Sequence, residues 1–298
     1  MTEDASNRGE PTGKKRRRRL LNKQTLRRVS LLGFTGFIAL VIIRYVVAGE
    51  GGAAASPEAY CPFGGLETLY RYITSAGSFV PHTHLSNVVL FVAVLTTALL
   101  ARSGFCGWVC PLGFIQELIT DLSIFLQKRI FSIRRFIKGV QKRGSFLIAA
   151  DRYLRLLKYA VLIWAVIGAA IYGVMVFRDY DPWSTLINIA ALTLGPGLVV
   201  LMVLLVASFF VERPWCRYAC PLGAISGLFG KLSPVYLKRK ESLCKGCAIC
   251  TKSCPMGLSV HTASTIKSVN CIGCLECLEI CPKAGALELK VGVPVIGK

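Results

Sequence analysis

Eight of the thirteen cysteines fall in two identical groups near the C-terminus. Cys244, Cys247, Cys250 and Cys254 are separated by two, two and three residues and followed by Pro255; Cys271, Cys274, Cys277 and Cys281 repeat that spacing before Pro282. Three thiolates on so tight a loop wrap one face of an iron–sulfur cubane, and the proline sends the fourth cysteine away along a helix. The expected ligand sets are therefore crossed. Cluster 1 takes Cys244, Cys247, Cys250 and Cys281, and cluster 2 takes Cys271, Cys274, Cys277 and Cys254. Gly246 and Gly273, one before the second cysteine of each group, allow backbone N–H groups close to the sulfurs. Zinc sites also use paired cysteines, and disulfides use any; two complete quartets with proline on the cytoplasmic side of a membrane favour two [4Fe-4S] clusters. The chemistry is single-electron transfer, since four thiolates leave no open coordination position for a substrate.

Four more cysteines form a second pattern. Cys106 and Cys110 sit in FCGWVCPLGFI, and Cys216 and Cys220 in WCRYACPLGAI, matching at both cysteines, Pro, Leu, Gly and Ile. Each pair follows an apolar stretch. Pro111 and Pro221 suit a first helical position, which makes the preceding cysteine the cap, near the positive end of a helix dipole that favours the thiolate. Two from each half could converge on one site at the cytoplasmic surface, holding an iron–sulfur centre, a zinc or a dithiol redox pair. A partial third copy, Cys61-Pro62-Phe63-Gly64, lies in a loop expected on the opposite side of the membrane, where Cys61 is a further metal-binding candidate. Glu58, Glu67, His82 and His84 near it are candidates for handling the protons of a quinol.

The elements that must position these groups are apolar helices. The chain has 298 residues, of which 53% are hydrophobic and 17% charged, unlike a soluble average. Stretches 30–48, 85–101, 156–177 and 194–211 are apolar enough to span a bilayer in helices of about 17–25 residues. Ten Lys and Arg precede the first, eleven lie from Arg102 to Lys158 and twelve follow the fourth, against Arg71 and Arg178 in the other two loops. Both termini and the 102–158 segment are thus expected in the cytoplasm. The net charge of +20 reads as topology, with acidic headgroups as a secondary partner, and not as nucleic-acid binding. The basic start and the apolar run also resemble an export signal, but the run is long, carries Arg44 and has flanking charges that fit an uncleaved anchor. Residues 1–29 are expected as a disordered basic arm, Gly195-Pro196-Gly197 as a helix break, and 114–143 as an amphipathic or packed connecting helix.

CPFGGLETLY, FCGWVCPLG, WCRYACPLGA and the paired cluster runs together resemble the NapH/NosR family of membrane polyferredoxins, with its FixG and RdxA relatives, over residues 61 to 282; the architecture most resembles the NapH type. That resemblance implies electron transfer linked to the quinol pool, serving a respiratory reductase as a subunit of a quinol dehydrogenase, with ferredoxin-type or cytochrome partners. The large flavin-binding domain of NosR-like proteins has no room in this chain. FixG-like proteins bring a second reading, a copper reductase or assembly factor for a cofactor enzyme. The expected fold is an α-helical integral protein of a prokaryotic inner membrane: a basic arm (1–29), four transmembrane helices in two pseudo-repeated pairs (30–239), and a small α+β domain of the bacterial double-cluster ferredoxin type (240–298).

Overall fold

The computed structural model describes residues 13–48, 57–66, 68–69, 85–132, 135, 137, 145–172, 176–187 and 195–292. The expected disorder of the whole arm 1–29 is corrected from Gly13 onward. There a single helix, α1 (Gly13–Ala48), runs through the basic segment and the apolar one, because Lys, Arg and Leu are good helix formers. Arg27 and Leu31 are its anchor, each buried against the rest of the protein.

The remaining helices come in two similar series. In the first, α2 (Leu85–Ala101) is followed by the short α3 (Gly104–Trp108) and by α4 (Pro111–Arg129). Then α5 (Ser145–Tyr172) and α6 (Pro182–Ile187) lead to the second series, α7 (Pro196–Ala207), α8 (Pro214–Tyr218) and α9 (Pro221–Lys231). Among the described residues, two stretches are long and apolar enough to cross a membrane, Lys23–Ala48 and Tyr153–Tyr172. The expectation of four full spans is not met by the other two. α2 has 17 residues and α7 has 12, and twelve residues rise only about 18 Å against a hydrocarbon core of about 30 Å. Two local causes shorten α7. Gly195 caps it and Pro196 starts it, at the expected break. At its other end the Ser208 hydroxyl donates back to the Leu204 carbonyl at 2.8 Å, and the chain then turns to reach Arg213, whose φ is +49°.

Pro111 and Pro221 do open helices, with Cys110 and Cys220 as their caps. α4 buries Leu112, Phe114, Gln116 and Glu117 while Leu118, Leu122, Ile124 and Phe125 face outward. It is both a packed connector and a helix with an apolar outer face.

The C-terminal domain is a three-stranded antiparallel sheet in the order β2-β1-β3, from β1 (Val235–Arg239), β2 (Thr265–Ile266) and β3 (Leu287–Val291). Its central strand begins before the expected boundary at residue 240. Leu237 pairs with Ile266 on one side and Leu289 on the other, and Leu237, Val260, Ile266 and Leu287 form the core with Cys250 and Cys277. Two short helices, α10 (Ile249–Lys252) and α11 (Glu276–Ile280), each carry one cysteine.

The domain docks on the cysteine-bearing helices through close backbone contact. A Cβ at Gly107 would collide with the Ile272 carbonyl, and one at Gly227 with the Val269 carbonyl, so these two positions require glycine. Around them the Trp108 indole donates to the Gly273 carbonyl at 3.1 Å, Lys158 Nζ donates to Asn270 at 2.5 Å, and Arg102 donates to the Ile266 and Ser268 carbonyls.

Candidate iron–sulfur centres and the junction between them

The two cysteine loops fold alike. Gly246 and Ala248 flank Cys247 with φ of 66° and 55°, and Gly273 and Leu275 flank Cys274 with φ of 64° and 60°. The glycine takes up this left-handed conformation freely; the residue after the cysteine does so at a cost that the loop must offset elsewhere. Each loop thereby curls around a small cavity of about 20 Å³. Cys244, Cys247, Cys250 and Cys281 line the first, and Cys254, Cys271, Cys274 and Cys277 line the second. Among the described residues no three His, Cys, Asp or Glu side chains close on one ion position; the eight thiols surround space instead.

Burial pushes the Cys274 thiol up to about 12, against the opposing Glu276 backbone N–H, and it also raises Cys250, Cys254 and Cys277. Cys244, at the surface, is held below the usual thiol range by the Gly246 N–H and by Arg239. Buried thiolates are costly without a cation to compensate them, and eight soft donors in two groups of four suit a cluster in each cavity.

The other four cysteines meet between the domain and the helices. Cys106 lies in α3 and Cys216 in α8, but neither helix continues to the next cysteine: it ends at Val109 or Ala219 and a new one starts at the proline. The four thiols are neighbours: Cys110 raises Cys106, both of these raise Cys216, and all three raise Cys220. The two halves reach across reciprocally, because Gln116 of α4 donates to Cys216 Sγ at 3.9 Å while Ser226 of α9, ten residues after its own first cysteine just as Gln116 is, shares a contact with Cys106 Sγ at 3.7 Å. Gln116 also accepts the Trp215 N–H at 3.1 Å.

Burial dominates their acidity. It lifts Cys106 to about 11 and Cys216 to about 12, and it raises Cys110 and sends Cys220 well above the usual thiol range. The expected thiolate at the helix caps is corrected accordingly. The Gly113 and Gly223 N–H groups do lower Cys110 and Cys220, but removal from water outweighs them.

The pairs face two ways. Cys106 and Cys216 pack with Met256, Ile272, Cys254 and Cys274, against the wall of the second cavity. Cys110 and Cys220 face away, into an apolar core that includes Cys61, Phe63, Phe177 and Trp215. The separation of Cys61 from the other cysteines by a membrane is thus corrected: all three Cys-Pro steps line one cavity of about 280 Å³. Glu67, His82 and His84 lie outside the described residues, and of Glu58 only its backbone, in the turn Pro57–Tyr60, is described.

Several residues at the junction carried no signal in the sequence. Glu117 accepts from Arg27 at 2.6 Å and from Arg213 at 2.7 Å, both guanidiniums being fully buried. Burial alone would raise Glu117, but Arg213 and Arg27 outweigh it and hold the carboxyl below its ordinary value. Arg27 also reaches Glu276 of α11 at 3.6 Å, and Arg213 donates to the Cys106 carbonyl at 2.7 Å. Asp181 is buried and accepts the Trp183 N–H at 3.1 Å. Burial pushes it up to about 7. Only contact across long sequence distances distinguishes Glu117, Arg27 and Arg213 from ordinary surface charges, whereas the Asp181 contact is local, at the start of α6 where Asp181 precedes Pro182.

Comparison with known proteins follows the same division. The 4Fe-4S binding domain family matches twice, at residues 83–134 and 193–244, once on each CxxxCP half, and the 4Fe-4S dicluster domain family matches residues 236–282. A protein of Escherichia coli K12 named as an electron transport protein, YccM, is 32% identical over 257 residues, covering 85% of this chain and 67% of that one. The ferredoxin-type protein NapH of the same organism is 29% identical over 175 residues, covering 57% and 54%. The regulatory protein NosR of Stutzerimonas stutzeri is 29% identical over 178 residues, covering 57% of this chain and 23% of its own length. The chain therefore spans two thirds of the first relative, about half of the NapH protein and under a quarter of the NosR protein. No solved structure matches the chain. With its cluster-binding cysteines, its two half-repeats and these relatives, the chain belongs to the NapH/NosR-type polyferredoxin family, iron–sulfur proteins of electron transfer.

Proposed function

We propose that the protein is a membrane iron–sulfur relay that moves electrons between the quinol pool and partner redox proteins of a respiratory reductase. The observation that carries this reading is contiguity. Cys250 of the first cavity and Cys277 of the second share one core, Cys254 and Cys274 of the second pack with Cys106 and Cys216, and the partners of that pair, Cys110 and Cys220, open on the apolar helix core.

In this reading Cys244, Cys247, Cys250 and Cys281 hold one [4Fe-4S] cluster, Cys271, Cys274, Cys277 and Cys254 hold another, and Cys106, Cys110, Cys216 and Cys220 hold a third redox centre. Such clusters, when bound, take up and release one electron at a time. The chain's own contribution is to bind and insulate them. Met256 and Ile272, 2% and 5% exposed, keep water from the contact between the second cavity and the junction, and Arg27, Arg213 and Lys158 supply positive charge beside the buried thiolates. The four apolar helices enter or cross the inner membrane from residue 30 to the start of β1, and the distribution of basic residues supports cytoplasmic termini.

The test is anaerobic purification of the full chain with iron and sulfide analysis and EPR, followed by addition of a quinol analogue. Reduction of the clusters is the expected result. Failure of that reduction alongside stoichiometric copper reduction would overturn the quinol reading in favour of a metal reductase.

A further inference from the structure

The cavity of about 280 Å³ behind Cys110 and Cys220 is more than ten times the space in either cysteine-lined cage, about 20 Å³ each. A cluster at the junction thiols therefore leaves most of it unexplained. Its size lies near the lower end of the small-ligand range, about 300 Å³. The walls are almost entirely carbon and largely aromatic: Phe177 stacks on Trp215 with ring centroids 6.2 Å apart and planes at 21°, and Phe63 meets Phe177 edge-on at 5.5 Å. An apolar cavity of this kind excludes water and admits an apolar guest.

Two further features narrow the guest. On one side the wall is Phe34 and Phe37 of α1, 46% and 49% exposed, so the rim reaches the apolar outer surface of the helices and a guest can arrive from lipid. On the other side stands Asp181, among the described residues the only carboxylate on the wall, close enough to Cys110 to act on its thiol. The Asp181 carboxyl accepts the Trp183 N–H and also borders the cavity, where it can hydrogen-bond a polar group of the guest, which a hydrocarbon tail lacks. A flat ring with polar oxygens at its edge suits an aromatic wall that carries one hydrogen-bonding group.

We propose that this cavity binds the ring of a lipid-soluble quinone or quinol, with the Asp181 carboxyl group hydrogen-bonded to one ring oxygen and Cys110 and Cys220 setting that ring beside the junction. This assigns the site to residues other than Glu58, Glu67, His82 and His84. It rests on the quinol-linked reading above and deepens it by locating the carrier.

The test uses the full chain in lipid nanodiscs, titrated calorimetrically with 2-methyl-1,4-naphthoquinone and with a decyl benzoquinone. Leu90→Trp, which fills the cavity from α2, and Ile38→Trp, which fills it from α1, are each expected to weaken binding about tenfold or more while iron and sulfide stay at wild-type levels. Asp181→Asn is expected to weaken it about threefold to tenfold. The second filling variant covers the case in which the first does not fold. Unchanged affinity in a filled variant with full iron content, or cluster reduction by quinol there at the wild-type rate, puts the site elsewhere and overturns the inference while the quinol reading stands. Unchanged affinity in Asp181→Asn overturns the role given to that residue. If the wild type binds the quinone in this cavity but quinol does not reduce its intact clusters, the binding site stands and the quinol reading falls.

Discussion

In the C-terminal domain, three of the four cysteines around each cavity lie within seven residues of chain, and only the fourth comes from the other loop. At the junction, by contrast, four thiols come from two pieces of chain more than a hundred residues apart, and they are aimed by helix breaks rather than by a curled loop. The first arrangement is made mostly by local backbone, with left-handed residues flanking the middle cysteine. The second exists only when α4 and α9 reach across to each other's half. One region can assemble from neighbouring residues; the other is a product of packing, so damage to packing should separate them.

The largest effect is expected from the cage cysteines, and it sharpens the contrast. Cys254→Ala should empty the second cage although Cys254 belongs to the first run, and Cys281→Ala should empty the first, each removing about four irons per chain by anaerobic iron and sulfide analysis. If loss instead follows the sequence order of the runs, the crossed pairing is wrong.

Next comes Glu117, which should damage the junction and spare the loops. Glu117→Gln leaves Arg27 and Arg213 buried without their counter-charge, a change expected to cost about 3–5 kcal/mol. Denaturant unfolding should show the loss while the EPR signals of the two cage clusters persist. The pH dependence has the same origin. Because the folded carboxyl is held below its ordinary 4.5, its contribution is fully present above that value and fades as pH falls through the folded pKa. The wild type should therefore lose stability on acidification through that range, and Glu117→Gln should lose less.

A smaller effect is expected at the docking contact. Gly107→Ala drives a methyl group into the Ile272 carbonyl, at a cost of about 1–3 kcal/mol; limited proteolysis between α9 and β1 should accelerate, with iron content unchanged. The smallest is Trp108→Phe. Removing the indole donor to the Gly273 carbonyl should cost about 1 kcal/mol, seen as a small fall in the thermal midpoint and no change in the cluster spectra. A large loss of iron in either variant would mean that the cage depends on docking and would erase the distinction between the two regions.

How much was legible follows the same line. The three-cysteine loops, the helices opened by Pro111 and Pro221 and the break at Gly195-Pro196-Gly197 all depend on residues a few positions apart, and the two halves repeat such local patterns. Proline's fixed φ and missing N–H act within one helical turn, whatever the rest of the chain does. Helix length was less accessible. Hydropathy extends the fourth stretch to residue 211, but the Ser208 hydroxyl bonded to Leu204 and the turn toward Arg213 end the helix at Ala207. The acidity of the cap cysteines is hidden from the sequence for a related reason: the helix-end N–H groups are there, yet burial, which no local pattern reports, outweighs them.

The amino-acid sequence by itself therefore determined the pattern: which thiols fall in cluster-type runs, that two halves repeat, and that apolar helices carry them. Only the tertiary structure decided what those thiols face. It brought Cys61 beside Cys110 and Cys220, buried Arg27 from the N-terminal helix against Glu117, and set Asp181 on the wall of an aromatic cavity. Backbone propensity acts over a turn or two, whereas burial and charge pairing depend on contacts between residues far apart in the chain, and those arise only when the chain has packed.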